Sequence, residues 1–217
     1  TGTLTIHGGT LGSQTNAVLA NNVVVAGDFA VAASGSATPS LTLAGDVALA
    51  STARINQTTA GTVTFGGAIS GTQGLTLDAS AAGARYVFSG TQANGYTGTT
   101  TVQGSAVLDL ARTGAVSLPG NLTVAGQGAV VLQAGEQIAD TATVTLNGSG
   151  QGGTDALQFA AAGMTETIGA LAGSGTVGLA GSKLVVGSGD FSGQIRDNGA
   201  AGGGLEKTGS GTLRLSG

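Results

Sequence analysis

Few residues in this chain could carry out chemistry. It contains one histidine, His7, and no cysteine. A Ser-His-Asp triad or a multi-histidine metal centre would have to be built around His7, and thiol catalysis and disulfides are excluded. We expect His7 at a surface or strand-end position. The sequence predicts no catalytic residue, no cofactor-binding residue and no metal ligand.

The eleven carboxylates are scattered singly. They are Asp28, Asp46, Asp78, Asp109, Asp140, Asp155, Asp190, Asp197, Glu136, Glu166 and Glu206. In a repetitive β structure, a pair of acids for glycoside cleavage could still converge from neighbouring circuits of the chain, about 20 residues apart. The offsets between Asp28 and Asp46 and between Asp140 and Asp155 do not establish such a pair. We expect solvated turn carboxylates, and a polysaccharide lyase or hydrolase is an alternative.

Two glycine patterns look like ligand-binding motifs. G-x-G-x-x-G occurs at Gly148/Gly150/Gly153 and at Gly173/Gly175/Gly178. With 42 glycines in 217 residues, chance predicts about 1.5 matches, and neither opens a helical pattern. The segment from Gly150 to Gln158 is one residue short of the calcium-binding nonapeptide, which works only in tandem. We expect ordinary glycine-rich turns here.

Threonine and tyrosine could bind ligands in other ways. Thr-x-Thr pairs occur at Thr3/Thr5, Thr62/Thr64, Thr99/Thr101 and Thr143/Thr145. Ice-binding solenoids present a flat threonine face, but the uneven spacing of these pairs does not suggest one aligned ladder, and outward strand positions favour threonine anyway. Tyr86 and Tyr96 are the polar-tipped rings that could contact a sugar. We expect Tyr96 to dock the turn at residues 94–98.

Composition restricts the fold class. Hydrophobic residues make up 41% of the chain, aromatic residues 3% and charged residues 8%. The glycines lack the three-residue period of collagen, and recurrent short Val/Leu/Thr segments argue against disorder. The net charge of −4 provides no basic surface for nucleic acid or an anionic membrane, so we expect neither as a partner. The remaining class is all-β.

Short alternating segments predict many strands. Leu41-Thr42-Leu43 and Val63-Thr64-Phe65 send one side chain inward and the next outward. Similar segments recur throughout the chain at the short, regular spacing that is typical of many-stranded β folds. A β-sandwich would give the same rhythm, so the choice of architecture depends on internal repetition.

One part of the sequence repeats another. F-G-G-A-I at Phe65–Ile69 returns as F-S-G-Q-I at Phe191–Ile195, and A-R-Y-V-F-S-G at 84–90 parallels G-T-L-R-L-S-G at 211–217. Both pairs of segments have nearly the same separation along the chain, so the two copies stay in register. This repetition favours a solenoid. We predict one right-handed parallel β-helix over residues 1–217, with about nine or ten rungs (circuits of the chain around the axis) in a rod of about 45 Å.

The repeat also resembles a known family. Gly204–Gly217, G-L-E-K-T-G-S-G-T-L-R-L-S-G, is similar to the autotransporter-associated β-strand repeat of secreted Gram-negative passenger domains. The family's usual continuation is matched by N-G-Y-T-G-T-T-T-V-Q-G-S-A-V-L at Asn94–Leu108, and I-G-A-L-A-G-S-G-T-V at Ile168–Val177 is similar to another passenger segment. The first copy departs from the pattern, with L-T-L-D-A-S-A-A-G-A-R in place of K-T-G-x-G-T.

The resemblance implies a function and a location. We expect a non-catalytic structural or adhesive stalk, secreted or held at the outer membrane of a Gram-negative bacterium, without inserting into the membrane itself. The implied partners are host or bacterial surface molecules, protein or glycan, and the adjoining rungs and membrane barrel of the same chain. We expect a fragment of a longer passenger, whose strand at 212–215 stacks on a following rung. The alternatives are an enzyme on a β-helix and a sugar-, ice- or calcium-binding solenoid.

Four further expectations concern positions in the fold. Phe65 and Phe191 should occupy equivalent inward positions. Asn94-Gly95, Asn147-Gly148 and Asn198-Gly199 should supply positive-φ turns. Residues Ser34–Ser40 should form a protruding loop. The predicted core includes Leu41, Leu43, Val63, Phe65, Leu122, Val124, Val144, Leu146, Val177, Leu213 and Leu215.

Overall fold

The protein folds as a parallel β-solenoid. The computed structural model describes residues 2–33, 38 and 40–217, and within them the chain forms 24 strands and no helix. No helix that could cross a membrane is therefore present in these residues. The loop predicted at Ser34–Ser40 lies outside the described residues except for Thr38 and Ser40.

The first four rungs contribute three strands each. They are β1 (Leu4–Ile6), β2 (Thr10–Ser13), β3 (Ala17–Leu19), β4 (Val23–Val25), β5 (Phe29–Ala33), β6 (Ser40–Leu43), β7 (Val47–Leu49), β8 (Ala53–Gln57), β9 (Gly61–Phe65), β10 (Ile69–Gly71), β11 (Leu75–Ala79) and β12 (Ala84–Gly90).

The following rungs contribute two strands each, and two short strands follow them. They are β13 (Thr100–Gly104), β14 (Val107–Arg112), β15 (Leu122–Gly126), β16 (Ala129–Leu132), β17 (Thr143–Gly148), β18 (Leu157–Phe159), β19 (Thr165–Gly173), β20 (Thr176–Gly178), β21 (Lys183–Phe191), β22 (Gln194–Arg196), β23 (Gly204–Lys207) and β24 (Leu213–Leu215).

Like strands of successive rungs pair to build three sheets. The four-stranded sheet contains β1, β4, β7 and β10, and the nine-stranded sheet runs from β3 through β6, β9, β12, β14, β16, β18 and β20 to β22. The eleven-stranded sheet runs from β2 through β5, β8, β11, β13, β15, β17 and β19 to β21, which pairs with both β23 and β24. All pairings between these strands are parallel. The predicted all-β parallel β-helix of nine or ten rungs is confirmed.

The four-stranded sheet ends at β10, and the next rung has no strand on that face of the solenoid. Gly95 N–H donates to Ile69 O at 2.8 Å and Thr97 N–H to Gly71 O at 3.1 Å, but residues 94–98 form no strand. On this face the next two rungs are joined by an isolated parallel bridge between Leu118 and Ile138 and not by paired strands. Long strands then return, since the first half of β19 pairs with β21 alone while its second half continues the eleven-stranded sheet.

Inward side chains form one continuous apolar core. Leu75 and Leu77 point inward and Thr76 between them points outward, as the period of two requires. All seven aromatic rings are buried, and Phe65 meets Phe88 edge to face with ring centroids 5.4 Å apart. Full burial of such a side chain contributes about 2–3 kcal/mol to folding.

The predicted core is correct for nine of its eleven residues, from Leu41 to Val177. Leu213 is half-buried against the core. The prediction for Leu215 is wrong, because 54% of its surface is exposed. The reason is that β24 pairs with β21 alone, so Leu215 is covered from one direction.

The two copies of the internal repeat lie on different faces. Phe65 ends β9 in the nine-stranded sheet, whereas Phe191 ends β21 in the eleven-stranded sheet. The isoleucine that follows each phenylalanine in the repeat is displaced by one face in the same direction, because Ile69 lies in the four-stranded sheet and Ile195 in the nine-stranded sheet. Both phenylalanines are inward and 1% exposed, but the prediction of equivalent positions is wrong by one face of the solenoid.

One of the three predicted Asn-Gly turns is confirmed. Asn198 and Gly199 have φ values of 49° and 81°. Asn147-Gly148 instead ends β17, and Asn94 is a buried residue whose amide takes part in hydrogen bonds inside a corner. Those two predictions are wrong because strand pairing and side-chain hydrogen bonding decide the local conformation there.

Candidate functional site

The outer face of the eleven-stranded sheet carries the first ordered group of polar residues. Asp78 accepts hydrogen bonds from Arg54 Nε (2.8 Å) in the rung before it and from Gln103 Nε2 (2.7 Å) in the rung after it. Asp78 is buried, although the Arg54 side chain is 48% exposed. Burial alone would raise the pKa of Asp78, but the hydrogen bonds from Gln103 and Arg54 outweigh it, and the pKa lies below its ordinary value.

The nine-stranded sheet carries a matching group. Arg85 Nε and Nη2 donate to Asp109 Oδ2 and Oδ1 at 2.8 and 2.6 Å. From the next rung Gln133 Nε2 donates to Asp109 Oδ1 at 2.8 Å. In both groups a carboxylate joins three successive rungs, because it accepts hydrogen bonds from side chains of the rungs on either side of it.

A column of threonines lies beside Asp78 on the same outer face. Strand register stacks Thr76 on Thr101, Thr101 on Thr123 and Thr123 on Thr145. Each is half-buried, and no hydrogen bond to another described residue uses any of their hydroxyl groups. The four hydroxyls therefore form a row about 4.8 Å apart that is available to solvent or a ligand.

This column corrects part of the sequence interpretation. Of the predicted Thr-x-Thr pairs, Thr62/Thr64 lies in the nine-stranded sheet, and only Thr101 and Thr145 contribute to the column. Thr76 and Thr123 were not in those pairs, because each is the single threonine of a Leu-Thr-Leu or Leu-Thr-Val segment. The aligned ladder exists, but only two of its four threonines, Thr101 and Thr145, belong to the predicted pairs.

A buried polar cluster lies at the corner before the four-stranded face. Arg112 is fully buried, and its guanidinium donates to Gln92 O (2.6 Å), Gly67 O (2.8 Å) and Asn94 Oδ1 (2.6 Å). Its Nε has no partner among the described residues. Burial lowers the pKa of Arg112. Arg112 thus ties together the corner backbone of two earlier rungs.

Gln137 connects this cluster to a buried acid. It donates from Nε2 to Arg112 O at 3.0 Å and accepts from Ser117 Oγ at 2.6 Å. Glu166 Oε2 and Oε1 accept from the N–H groups of Gln137 (2.9 Å) and Ile138 (2.7 Å). Burial raises the pKa of Glu166 to about 8 despite these two donors. The cluster spans the rungs in which this face lacks a sheet, so side chains there supply hydrogen bonds that a strand would otherwise make.

The corner loops outside this cluster form an open groove of about 630 Å³ lined by Thr91, Ala93, Gly114, Ala115, Val116, Gly135 and Glu136. Burial raises the pKa of Glu136, a hydrogen bond from Thr167 opposes the shift, and the charge of Asp140 adds to it. Glu166 lies behind this loop and is 0% exposed. The groove is therefore lined by one accessible carboxyl, that of Glu136, whose pKa is raised. Asp140 lies beside Glu136 but does not line the groove.

The segment that resembles a calcium motif has a different role. Asp155 is fully buried and accepts from Asn198 Nδ2 at 2.7 Å and from Arg196 Nη2. A Cβ at position 178 would overlap both Asp155 Oδ2 and Asn198 Nδ2, so Gly178 is needed for this contact. Asp155 is therefore a partner of Arg196 and Asn198.

The remaining sequence candidates are dispersed. His7 is exposed directly after β1, as predicted. Asp28 Oδ1 and Asp46 Oδ1 do not meet, and each accepts a backbone N–H of a later rung, from Arg54 and Ala68. Within residues 2–33, 38 and 40–217, no group of three or more His, Asp or Glu side chains could hold a metal ion.

The tyrosines are structural. Tyr96 is fully buried and its hydroxyl is hydrogen bonded to the Thr100 hydroxyl, as expected for a ring that docks its turn. The Tyr86 hydroxyl lies 2.8 Å from both Ile55 O and Asp78 O. Because the other five aromatic residues are buried as well, the surface has no ring on which a sugar could stack.

These features define a β-solenoid whose polar residues mainly connect rungs. Comparison with protein-family models, with curated proteins and with solved structures gave no match. The functional argument therefore depends on the solenoid and its surface.

Proposed function

We propose that this chain is a non-catalytic segment of an autotransporter-type passenger, a rigid stalk at a Gram-negative cell surface that carries adhesive loops. The observation that supports it best is the stack of parallel strands along three faces. Such a stack extends by adding rungs and holds its loops at fixed positions along a rod. The repeat similarity at Gly204–Gly217 supports the passenger assignment.

The side-chain chemistry supports a structural role. Asp78, Asp109 and Asp155 each bind side chains from other rungs. Glu166 is buried. Glu136, an accessible carboxyl with a raised pKa, lies in an open groove and not in a sealed cleft.

Surface display tests the proposal. The chain would be fused between a secretion signal and an outer-membrane translocator barrel and expressed in a Gram-negative host. We expect the segment to reach the surface, to resist protease after secretion, and to increase binding of the cells to host-cell monolayers or to one another over cells that display the barrel alone. Failure to reach the surface, or no gain in adhesion, would count against the proposal.

A panel of polysaccharides, esters and peptides tests the absence of catalysis. Purified protein should leave every substrate at the background rate. A reproducible activity that disappears in Glu136→Gln or Asp140→Asn would promote the enzyme alternative.

A second candidate function is an ice-binding face, and the column Thr76–Thr101–Thr123–Thr145 favours it. Free threonine hydroxyls at one rung spacing can order water in a repeating lattice. Ice recrystallisation would be compared for the native protein, Thr123→Lys, and Thr64→Lys as a half-buried outward control on the nine-stranded sheet. Ice-binding predicts inhibition that Thr123→Lys abolishes and Thr64→Lys retains, and no inhibition by the native protein would eliminate this candidate.

A further inference from the structure

The chain contains three Asn-Gly pairs, and the fold places each in a different environment. Asn94 is buried, and its amide is hydrogen bonded to Ile69 N, Arg112 Nη2 and Ser117 O. Asn147-Gly148 ends β17, where Gly148 is buried and pairs with Gly126. Asn198-Gly199 lies in an exposed turn between β22 and β23.

Gly199 has open space on its side-chain side, and its backbone N–H is not engaged. No atom lies within 4 Å of the position that a Cβ would occupy, and none of the described backbone hydrogen bonds outside the strands uses its N–H. By contrast, Gly95 N–H is held by Ile69 O at 2.8 Å. A nitrogen attacks a neighbouring side-chain amide most readily when it is unhindered and its segment can open locally.

We propose that Asn198-Gly199 is a site of spontaneous deamidation. The Gly199 nitrogen forms a bond to Asn198 Cγ, and the side-chain nitrogen leaves as ammonia with the proton from the Gly199 N–H. Water then opens the resulting succinimide at either carbonyl. The product is aspartate, or isoaspartate with the chain continuing through the side-chain carbon, and no co-reactant other than water is needed.

The reaction would change a contact inside the fold. Asn198 Nδ2 donates to the buried Asp155 carboxylate, which Arg196 also binds. Conversion to a carboxylate removes that donor and places a second negative charge beside the first, which is destabilising. Arg196 ends β22 at one end of the nine-stranded sheet. Deamidation therefore acts as a slow, irreversible weakening of this end of the described solenoid.

Peptide mapping by mass spectrometry tests the site, with the other two Asn-Gly pairs as controls within the same chain. The intact protein would be incubated at mildly alkaline pH, folded and in urea, and the three sites followed over time. Folding should slow Asn94 and Asn147 by at least about tenfold relative to the unfolded chain and Asn198 only a few-fold. The proposal would be overturned if folding protected Asn198 as strongly as Asn94, or if Asn147 were converted faster than Asn198 in the folded protein.

Two variants test the consequence. Asn198→Gln keeps an amide donor but cannot readily form the five-membered ring, so it should not convert. Asn198→Asp carries the product carboxylate and should show several-fold faster hydrogen exchange at Gln194–Arg196 than Asn198→Gln. Equal exchange in the two variants would show that the reaction does not weaken this region.

Discussion

Asp78 and Asp109 occupy corresponding positions on two different faces of the solenoid. Each accepts hydrogen bonds from an arginine 24 residues earlier, Arg54 or Arg85. Each also accepts from a glutamine 25 or 24 residues later, Gln103 or Gln133. The same three-rung bridge thus appears on the eleven-stranded and the nine-stranded sheet. Because each bridge holds side chains at one fixed offset between neighbouring rungs, the two bridges help to fix the register.

Asp78→Asn should lower the free energy of unfolding by about 1 kcal/mol at neutral pH, a modest value because Arg54 is half exposed. The pKa of Asp78 is lowered in the folded state, so its contribution is present above the unfolded value of about 3.9 and is lost as pH falls through the folded pKa. Urea unfolding of both proteins from about pH 7 to pH 2 checks this. A difference that stays constant over that range would contradict the prediction.

Glu166→Gln should change the pH dependence in the opposite direction. The folded pKa of Glu166 is raised to about 8, so the native protein loses stability as pH rises from the unfolded value of about 4.3 through 8. The variant does not titrate at this position. We expect the native protein to lose a few kcal/mol relative to Glu166→Gln between about pH 4.5 and 8.5. Urea unfolding of both proteins across this pH range checks the prediction. If the unfolding free energies of the two proteins change in parallel with pH, Glu166 is ionised at both ends of the range.

The fold could be predicted because alternation and self-repetition are local properties of the sequence. Leu41-Thr42-Leu43 indicates its inward residues without reference to any other rung. The alignment of outward residues could not be predicted because rung length varies: Thr101 pairs with Thr76, 25 residues before it (101 − 76), and with Thr123, 22 residues after it (123 − 101). A fixed period therefore misaligns the outward residues, which is why the threonine column was missed.

The buried cluster at the corner was missed for a different reason. Arg112 follows Val107–Ala111 in an alternating strand, and charged residues are rarely fully buried without a charged partner. Its acceptors, Gly67 O, Gln92 O and Asn94 Oδ1, come from other rungs. The two Arg–Asp–Gln bridges on the outer faces, by contrast, did leave a signal in the sequence, because their spacings are alike: 24 and 25 residues in one and 24 and 24 in the other.

Phe65→Ala and Phe191→Ala should each lower the free energy of unfolding by about 3–5 kcal/mol, because both rings are buried and truncation leaves a cavity. Leu215→Ala is the control, and it should cost less than about 1 kcal/mol since Leu215 is 54% exposed. Thermal and urea unfolding of the three variants provide the comparison. A cost for Leu215→Ala as large as that for Phe191→Ala would mean that β24 is packed in solution more fully than in this structure.

Arg112→Met should destabilise the protein by about 2–4 kcal/mol although methionine fills much of the same space. The substitution removes the side-chain donor of Gly67 O and Gln92 O and one of the two donors of Asn94 Oδ1. Buried acceptors that lose a donor are costly. Arg112→Lys is the matched variant: it keeps the charge but not the planar fork of donors, and should recover only part of the loss.

Hydrogen exchange at Gly95 and Thr97, whose N–H groups bond to Ile69 O and Gly71 O, locates the effect of the Arg112 variants. We expect exchange there to accelerate in both variants while the β15–β17 pairing stays protected. A uniform increase along the chain would show that Arg112 stabilises the whole core and not the corner where the four-stranded sheet ends.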